Sequence, residues 1–265
     1  MRAAILLLTF LPFAAPAAEP IPEPWHPEDG DICLRPGDAP RTDAQRHLAL
    51  LLDRMRPVFD GFPSLAEAWK YTAPPLCIEN RGIAAGGYLE TTSPRIVLRD
   101  DLAPDAQAVI LVHELRHLEQ WTRGTCLHDG LTMAANARAA FVLEADAAAV
   151  TALVAWAEAE AGRDDLWRAL GAMPMFSDIG AAFAGRMRAG AGVAAATAAA
   201  FDQWYAVPER TDAYYRAVCS DYLDRLDATK RLPGTGDLPG AYLDDVCRLP
   251  SGGGYACAEP ATLPR

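Results

Sequence analysis

The stretch 104-PDAQAVILVHELRHLEQWT-122 decides how this chain is read. Pro104 suits the first turn of a helix, where its missing N–H has no partner to lose. Val109, Ile110, Val112, Leu115 and Leu118 supply apolar surface at helical spacing. The helix is predicted to run to Trp121 or Thr122, with Gly124 ending it. Within it lies His113-Glu114-Leu115-Arg116-His117, an H-E-x-x-H sequence. Residues four apart on a helix are separated by about one turn and rotated by only about 40°. Both imidazoles can therefore reach one metal ion, and Glu114 beside them is placed to take a proton from a water that the metal activates.

Two histidines do not complete a catalytic zinc site, which takes three protein ligands and leaves a fourth position open. A three-His pattern would need His six residues after His117, where Arg123 stands, and Gly where Gln120 stands, so that pattern is rejected. An acid on the next helix is the better source. Thr132 to Ala161 reads as a long Ala-rich helix, and an antiparallel return after residues 123–130 would bring Glu144 back beside His113 and His117. Ala140, Ala145, Ala147 and Ala148 would let the two helices approach closely. Asp146 points about 200° away from Glu144, so one helix cannot aim both acids at one ion. Glu144 is the expected third ligand, with Asp146, His128 and Asp129 as the alternatives.

Outward from this pair, Leu76–Ile78, Gly86–Glu90 and Arg95–Leu98 read as strands, the last two joined by a turn at Thr92-Ser93-Pro94. The Gly87–Tyr88 segment could be an edge strand that pairs with extended substrate. Upstream, Ala44–Phe59 is the first expected helix, which Pro57 bends or ends. Ser64–Tyr71 is the second, with Ser64 and Glu67 spaced as in a capping box. Asp164–Leu170, Met175–Met187, Val193–Tyr205 and Tyr214–Leu226 read as further helices. After Lys230 the chain is rich in Pro and Gly and should wrap the surface. The fold class expected is α+β, mainly helical. A small antiparallel sheet would pack on the active-site helix pair, with a helical C-terminal extension. Arg116 and Glu119 read as surface charges, Phe201, Trp204 and Tyr205 as core, and His26 and His47 as structural or exposed.

The first residues read as a signal peptide: a basic start at Met1-Arg2, an apolar run from Ala3 to Phe13, and small residues around Ala17 and Ala18. Cleavage would leave about 245 residues, enough for one core, or one core with an extension. The expected division is a leader at 1–18, a catalytic core with its N-terminal arm at 19–162, and an extension with a Cys-containing tail at 163–265; the last two could form one domain. No later stretch reads as a membrane span. Loss of Arg2 takes the formal charge from −11 to −12, a surface that disfavours nucleic acid and anionic membrane as partners. Cys33, Cys77, Cys126, Cys219, Cys247 and Cys257 form an even set, which in an exported chain favours disulfides. A local Cys247–Cys257 loop around Gly252-Gly253-Gly254 is the favoured pairing. No C-x-x-C pair supports a zinc ribbon or a thioredoxin-like site.

The pieces Gly86-Gly87-Tyr88, Ile96-Val97-Leu98, 113-HELRHLEQ-120 and Glu144-Ala145-Asp146-Ala147 together resemble the gluzincin-type metallopeptidases, most closely the small bacterial families of that kind. The resemblance covers Leu76 to Thr151. It implies one zinc ion held by His113, His117 and Glu144, Glu114 as general base, and hydrolysis of peptide or protein substrates, by an endopeptidase rather than an exopeptidase. The oxyanion would need another donor, for which Tyr88, Tyr205, Tyr214, Tyr215 and Arg116 are candidates. The longer gluzincin pattern has Asp four residues after the third ligand. Here that position is Ala148, and Asp146 is the candidate for the supporting role. The expected protein is a periplasmic or secreted monomer; the competing reading is an inactive zinc-binding envelope protein that acts as a binding module.

Overall fold

The computed structural model describes residues 32–79, 85–126 and 130–260. The expected signal peptide, residues 19–31 of the arm, and His26, His128 and Asp129 lie outside the described residues.

Two long helices form the centre. Helix α4 (Pro104–Thr122) starts at Pro104, and the chain turns at Gly124 with φ of 72°. Only glycine takes that conformation without strain. Helix α5 (Met133–Glu160) returns beside it, capped by the Thr132 hydroxyl, which accepts from the Ala135 N–H. By length and composition α5 could cross a membrane, contrary to the sequence reading, but 89% of its most apolar window is buried inside the fold. It is the core helix. Its alanines Ala145, Ala147, Ala148 and Ala149 are all within 1% of complete burial, which is what close helix approach requires.

A four-stranded sheet packs on α4, in the order β1-β2-β4-β3. The strands are β1 (Ile32–Leu34), β2 (Leu76–Glu79), β3 (Gly87–Glu90) and β4 (Arg95–Arg99). The sheet is mixed, not wholly antiparallel, because β2 and β4 run parallel, with Leu76 opposite Ile96. Burial explains the order. Ile96, Val97 and Leu98 are all fully buried, so this apolar run belongs in the middle, while the less buried β3 takes the edge. Strand β1 was not anticipated. It pairs with β2 in a register that sets Cys33 opposite Cys77, and the two form a disulfide.

The N-terminal helices are α1 (Asp43–Arg54), α2 (Arg56–Gly61) and α3 (Pro63–Thr72). The break at Met55 is followed by Pro57 in the first turn of α2. The capping box forms at Thr42 and Gln45 on α1, not at Ser64. Pro63 opens α3 and draws Ser64 into its first turn, where the hydroxyl makes no cap.

The C-terminal part contains α6 (Asp165–Ala172), α7 (Ser177–Arg188), α8 (Val193–Tyr205), α9 (Pro208–Thr229) and the short α10 (Tyr242–Val246). Gly162 turns the chain with φ of 82°, and α6 packs straight back on α4 and α5. One hydrophobic core runs from Leu34 to Tyr255 and includes Phe176, Ile179, Phe183, Phe201 and Trp204 from beyond that turn. The architecture is predominantly helical α+β.

Cys247 and Cys257 are bonded, closing a loop in the tail. Cys126 and Cys219 are free, a correction to the reading of six paired cysteines. Cys126 faces a cleft beside α4, whereas the Cys219 thiol lies beside the Tyr215 hydroxyl on α9. Two disulfides suit an oxidising environment.

Candidate metal centre

Three donors converge where α4 and α5 face each other. His113 Nε2 lies 3.1 Å from His117 Nε2, and each lies 3.4 Å from a different oxygen of Glu144. Neutral imidazole and carboxylate are metal ligands, and the three residues could hold one ion between them. A tetrahedral centre with bonds of about 2.0–2.1 Å has edges of about 3.3–3.4 Å. The observed spacings are close to such edges, although the two imidazoles face different oxygens of Glu144, so the donor set and its closeness fit the group that the sequence implies. The helices bring this about as anticipated: one turn separates the histidines on α4, and the antiparallel return of α5 supplies the acid.

Electrostatics tie the trio together. Burial alone would lower the pKa of His117, but the Glu144 carboxylate beside it prevails and raises it to about 9. Burial works the other way on Glu144, and there the two imidazoles prevail, holding it well below the ordinary carboxylate range.

Glu114 is buried beside the trio. Desolvation raises its pKa, against the pull of His117 and His113 and of the Leu89 backbone N–H directed at its carboxylate. Leu89 lies on β3, the edge strand of the sheet, which packs against α4. This proximity depends on Gly86 and Gly87. A Cβ on Gly87 would meet the Val97 carbonyl oxygen and Ile110 Cγ2, each at 2.7 Å.

The site opens into a cleft of about 1020 Å³. Gly87 and Tyr88 line one wall. The opposite wall is one face of α9, where Tyr214, Ala217, Val218, Asp221 and Arg225 recur at helical spacing. Tyr214 is set apart from the other oxyanion candidates. Its hydroxyl lies beside Glu144, whose charge, with burial, pushes its pKa well above the ordinary value. Tyr88 also lines the cleft, and its hydroxyl donates to Glu79 at 3.2 Å. Tyr205 is packed among Phe141, Phe201 and Trp204, and Tyr215 lies beside Cys219.

Arg116 and Glu119 correct the sequence reading most sharply. Neither is a surface charge: Arg116 is completely buried and Glu119 is 4% exposed. Arg116 donates to both oxygens of Asp146, at 2.7 and 2.9 Å, and pairs with Glu119. It is therefore locked in the interior, away from the cleft. Asp146 is not among the converging donors. Instead it accepts from Gln120 Nε2 at 2.7 Å, and Gln120 Oε1 lies 2.7 Å from His117 Nδ1. The amide orientation follows from its neighbours, since Nε2 faces two acceptors, Asp146 and the Leu143 carbonyl. Gln120 therefore accepts from His117 Nδ1–H, leaving Nε2 to face the trio. Gln120 escaped the sequence reading.

His113 is held differently. Its Nδ1 is buried without a hydrogen-bond partner among the described residues, and the Phe176 ring packs against it with centroids 5.4 Å apart. His47, far along the sequence, pairs with Gln107 and has no part in the site.

The family model described as "Putative metallopeptidase family (DUF6782)" matches residues 26–257. No curated protein and no solved structure matches the chain.

Proposed function

Because the chain belongs to that metallopeptidase family, we propose that it is a zinc-dependent peptidase of the gluzincin kind, with His113, His117 and Glu144 as ligands. The observation that carries this is the convergence of two imidazoles and one carboxylate, near enough to share one ion, in the lining of a cleft of about 1020 Å³. When bound, zinc supplies Lewis acidity: it lowers the pKa of water and polarises a scissile carbonyl.

The chain's own residues do the rest. Glu114 is the general base. Burial raises the proton affinity of its carboxylate, which suits a group that must accept a proton from water and return it to the leaving amine. The Leu89 N–H orients that carboxylate. The outer edge of β3 at Gly87 and Tyr88 offers backbone groups to an extended substrate, which favours cleavage within a chain over trimming of its ends. Tyr214 is the group placed to donate to the developing oxyanion, because its hydroxyl is the one beside Glu144. Two disulfides favour action in an exported, oxidising setting.

The test is Glu114→Gln, assayed on an unstructured protein substrate with metal content measured in parallel. The variant should keep one zinc per chain and lose about 10²–10⁴-fold in kcat. Unchanged cleavage would remove Glu114 from the role of base, and absence of stoichiometric metal in the unaltered chain would remove the site. An unaltered chain that binds zinc but cleaves nothing would be the binding module instead.

A further inference from the structure

Asp146 has a third partner that no part of the reaction requires. The Tyr255 hydroxyl donates to Asp146 Oδ1 at 2.6 Å, from within the loop closed by Cys247–Cys257. The same loop reaches Arg116. Its Nη2 donates to the carbonyls of Val246 at 3.0 Å and Arg248 at 2.7 Å, flanking Cys247 on either side. The loop is held in shape by the bond from Tyr255 N–H to the Cys247 carbonyl and by the Tyr255 ring against Phe201. No residue from 242–257 lines the cleft among the described residues. A continuous set of hydrogen bonds nonetheless leads from the tail to the site: Tyr255 to Asp146, Asp146 to Gln120, Gln120 to His117.

We infer that the disulfide-closed tail is a positioning device for His117, so that the strength of metal binding depends on Tyr255 and on the Cys247–Cys257 bond. This rests on the metal reading above. The physical reason lies in the neutrality of Gln120. A carboxylate that supports a ligating histidine needs only proximity, since its charge acts over a range of angles. An amide must be held at one angle, with oxygen towards the imidazole, and that angle is fixed by what its NH2 group donates to. Asp146 fixes Gln120, and Asp146 is itself fixed by Arg116 and Tyr255. The tail holds both members of the Arg116–Asp146 pair, through the Val246 and Arg248 carbonyls on Arg116 and the Tyr255 hydroxyl on Asp146; without that hold the pair stays together but can shift as a unit, and the Gln120 amide with it. Tyr255 is thus a positioning residue, not a catalytic one.

The test uses the full chain and two readouts: Zn²⁺ affinity by chelator competition, and the absorption bands of bound Co²⁺, which report ligand geometry. Tyr255→Phe keeps the ring against Phe201 and removes only the donor. The Cys247→Ser/Cys257→Ser pair opens the loop, and Cys33→Ser/Cys77→Ser is the control, a disulfide in the sheet remote from Asp146. Both tail variants should bind Zn²⁺ about tenfold or more weakly and shift the Co²⁺ bands. The control should lower the melting temperature while leaving affinity and spectrum unmoved. Tail variants that bind metal as the unaltered chain does would overturn the inference, as would a control that weakens binding equally. If the unaltered chain took up no metal, the metal reading would fall first and this inference with it.

Discussion

Glu144 and Asp146 stand two residues apart on one helix and have opposite electrostatic situations. Glu144 faces two imidazoles, and an imidazole is neutral when it ligates a metal. Asp146 faces Arg116, a guanidinium that cannot lose its charge and has no water around it. Removing Asp146 strips that buried cation of its two-point partner and leaves Glu119 to balance it, a defect towards the lower end of about 3–5 kcal/mol. Asp146→Ala should therefore lower the urea midpoint of the metal-free chain far more than Glu144→Gln, which should instead abolish metal binding. Equal midpoints for the two variants would show that the Arg116 pair carries no stability. The trio also sets a pH dependence. An imidazolium cannot ligate, and in the metal-free chain His117 stays protonated up to about pH 9 because Glu144 outweighs burial. Metal uptake must then expel a proton below that pH, so apparent affinity should climb about tenfold per unit from pH 6 to pH 8. Competition titrations across that range check it, and a flat profile would mean that His117 is already neutral. At this scale His113, Glu114 and His117 were legible because helical periodicity brings them near one another, and Glu144 because a short connection returns the next helix beside them. Arg116, Gln120 and Tyr255 were not. A charged or polar residue on a helix looks solvated until the partner that buries it is known, and these partners lie 30, 26 and 109 residues from Asp146.

The elements that carry the site announced their own limits. Pro104, Gly124 and the Thr132 cap act on their nearest neighbours, so α4 and α5 could be bounded within a residue or two of where they lie. Strand β1 and helix α10 could not, because three and five residues hold their shape through pairing with distant chain, not through local preference. The parallel pairing of β2 with β4 was hidden for a similar reason: strand patterns show which residues are buried but not which strand lies next door. The Gly86-Gly87 pair has a use that the strand pattern does not show. It lets β3 lie so close to α4 that a strand N–H reaches Glu114. At Gly87 an added methyl group would collide with the Val97 carbonyl, which cannot move without disturbing the β3–β4 ladder. At Gly86 it would meet side chains and no backbone, the nearest atom being the flexible end of Ile110 at 2.8 Å. Gly87→Ala should cost about 1–3 kcal/mol and Gly86→Ala distinctly less. Denaturant titration of the pair decides it; the reverse order would mean that β3 is held loosely.

On the scale of the whole molecule, the C-terminal hundred residues are wall and brace for a site whose proposed ligands all lie before residue 145. Helix α9 closes the cleft opposite β3, Phe176 packs on His113, and the tail holds Asp146. Sequence reasoning found these helices but not their use, since nothing in the pattern of α9 says which element its cleft-lining face meets. The continuous core argues that residues on the two sides of Gly162 unfold together, as one domain. Phe183 tests this. It lies on α7, beyond the turn, is fully buried, and packs on Trp156 of α5 with ring centroids 6.0 Å apart. Phe183→Ala should cost about 3–5 kcal/mol. In a domain of this size each kcal/mol moves the melting temperature by about 2–4 °C, so a fall of about 10 °C is expected. The informative comparison is between two probes in one thermal scan: loss of helix by circular dichroism, and release of bound Co²⁺ by its absorption. If the chain is one cooperative unit, both transitions coincide and both move by the same amount in the variant. Metal release that stays where it was while part of the helix signal melts early would divide the molecule at Gly162, and would make α6 to α9 a separate body resting against an independently stable catalytic core.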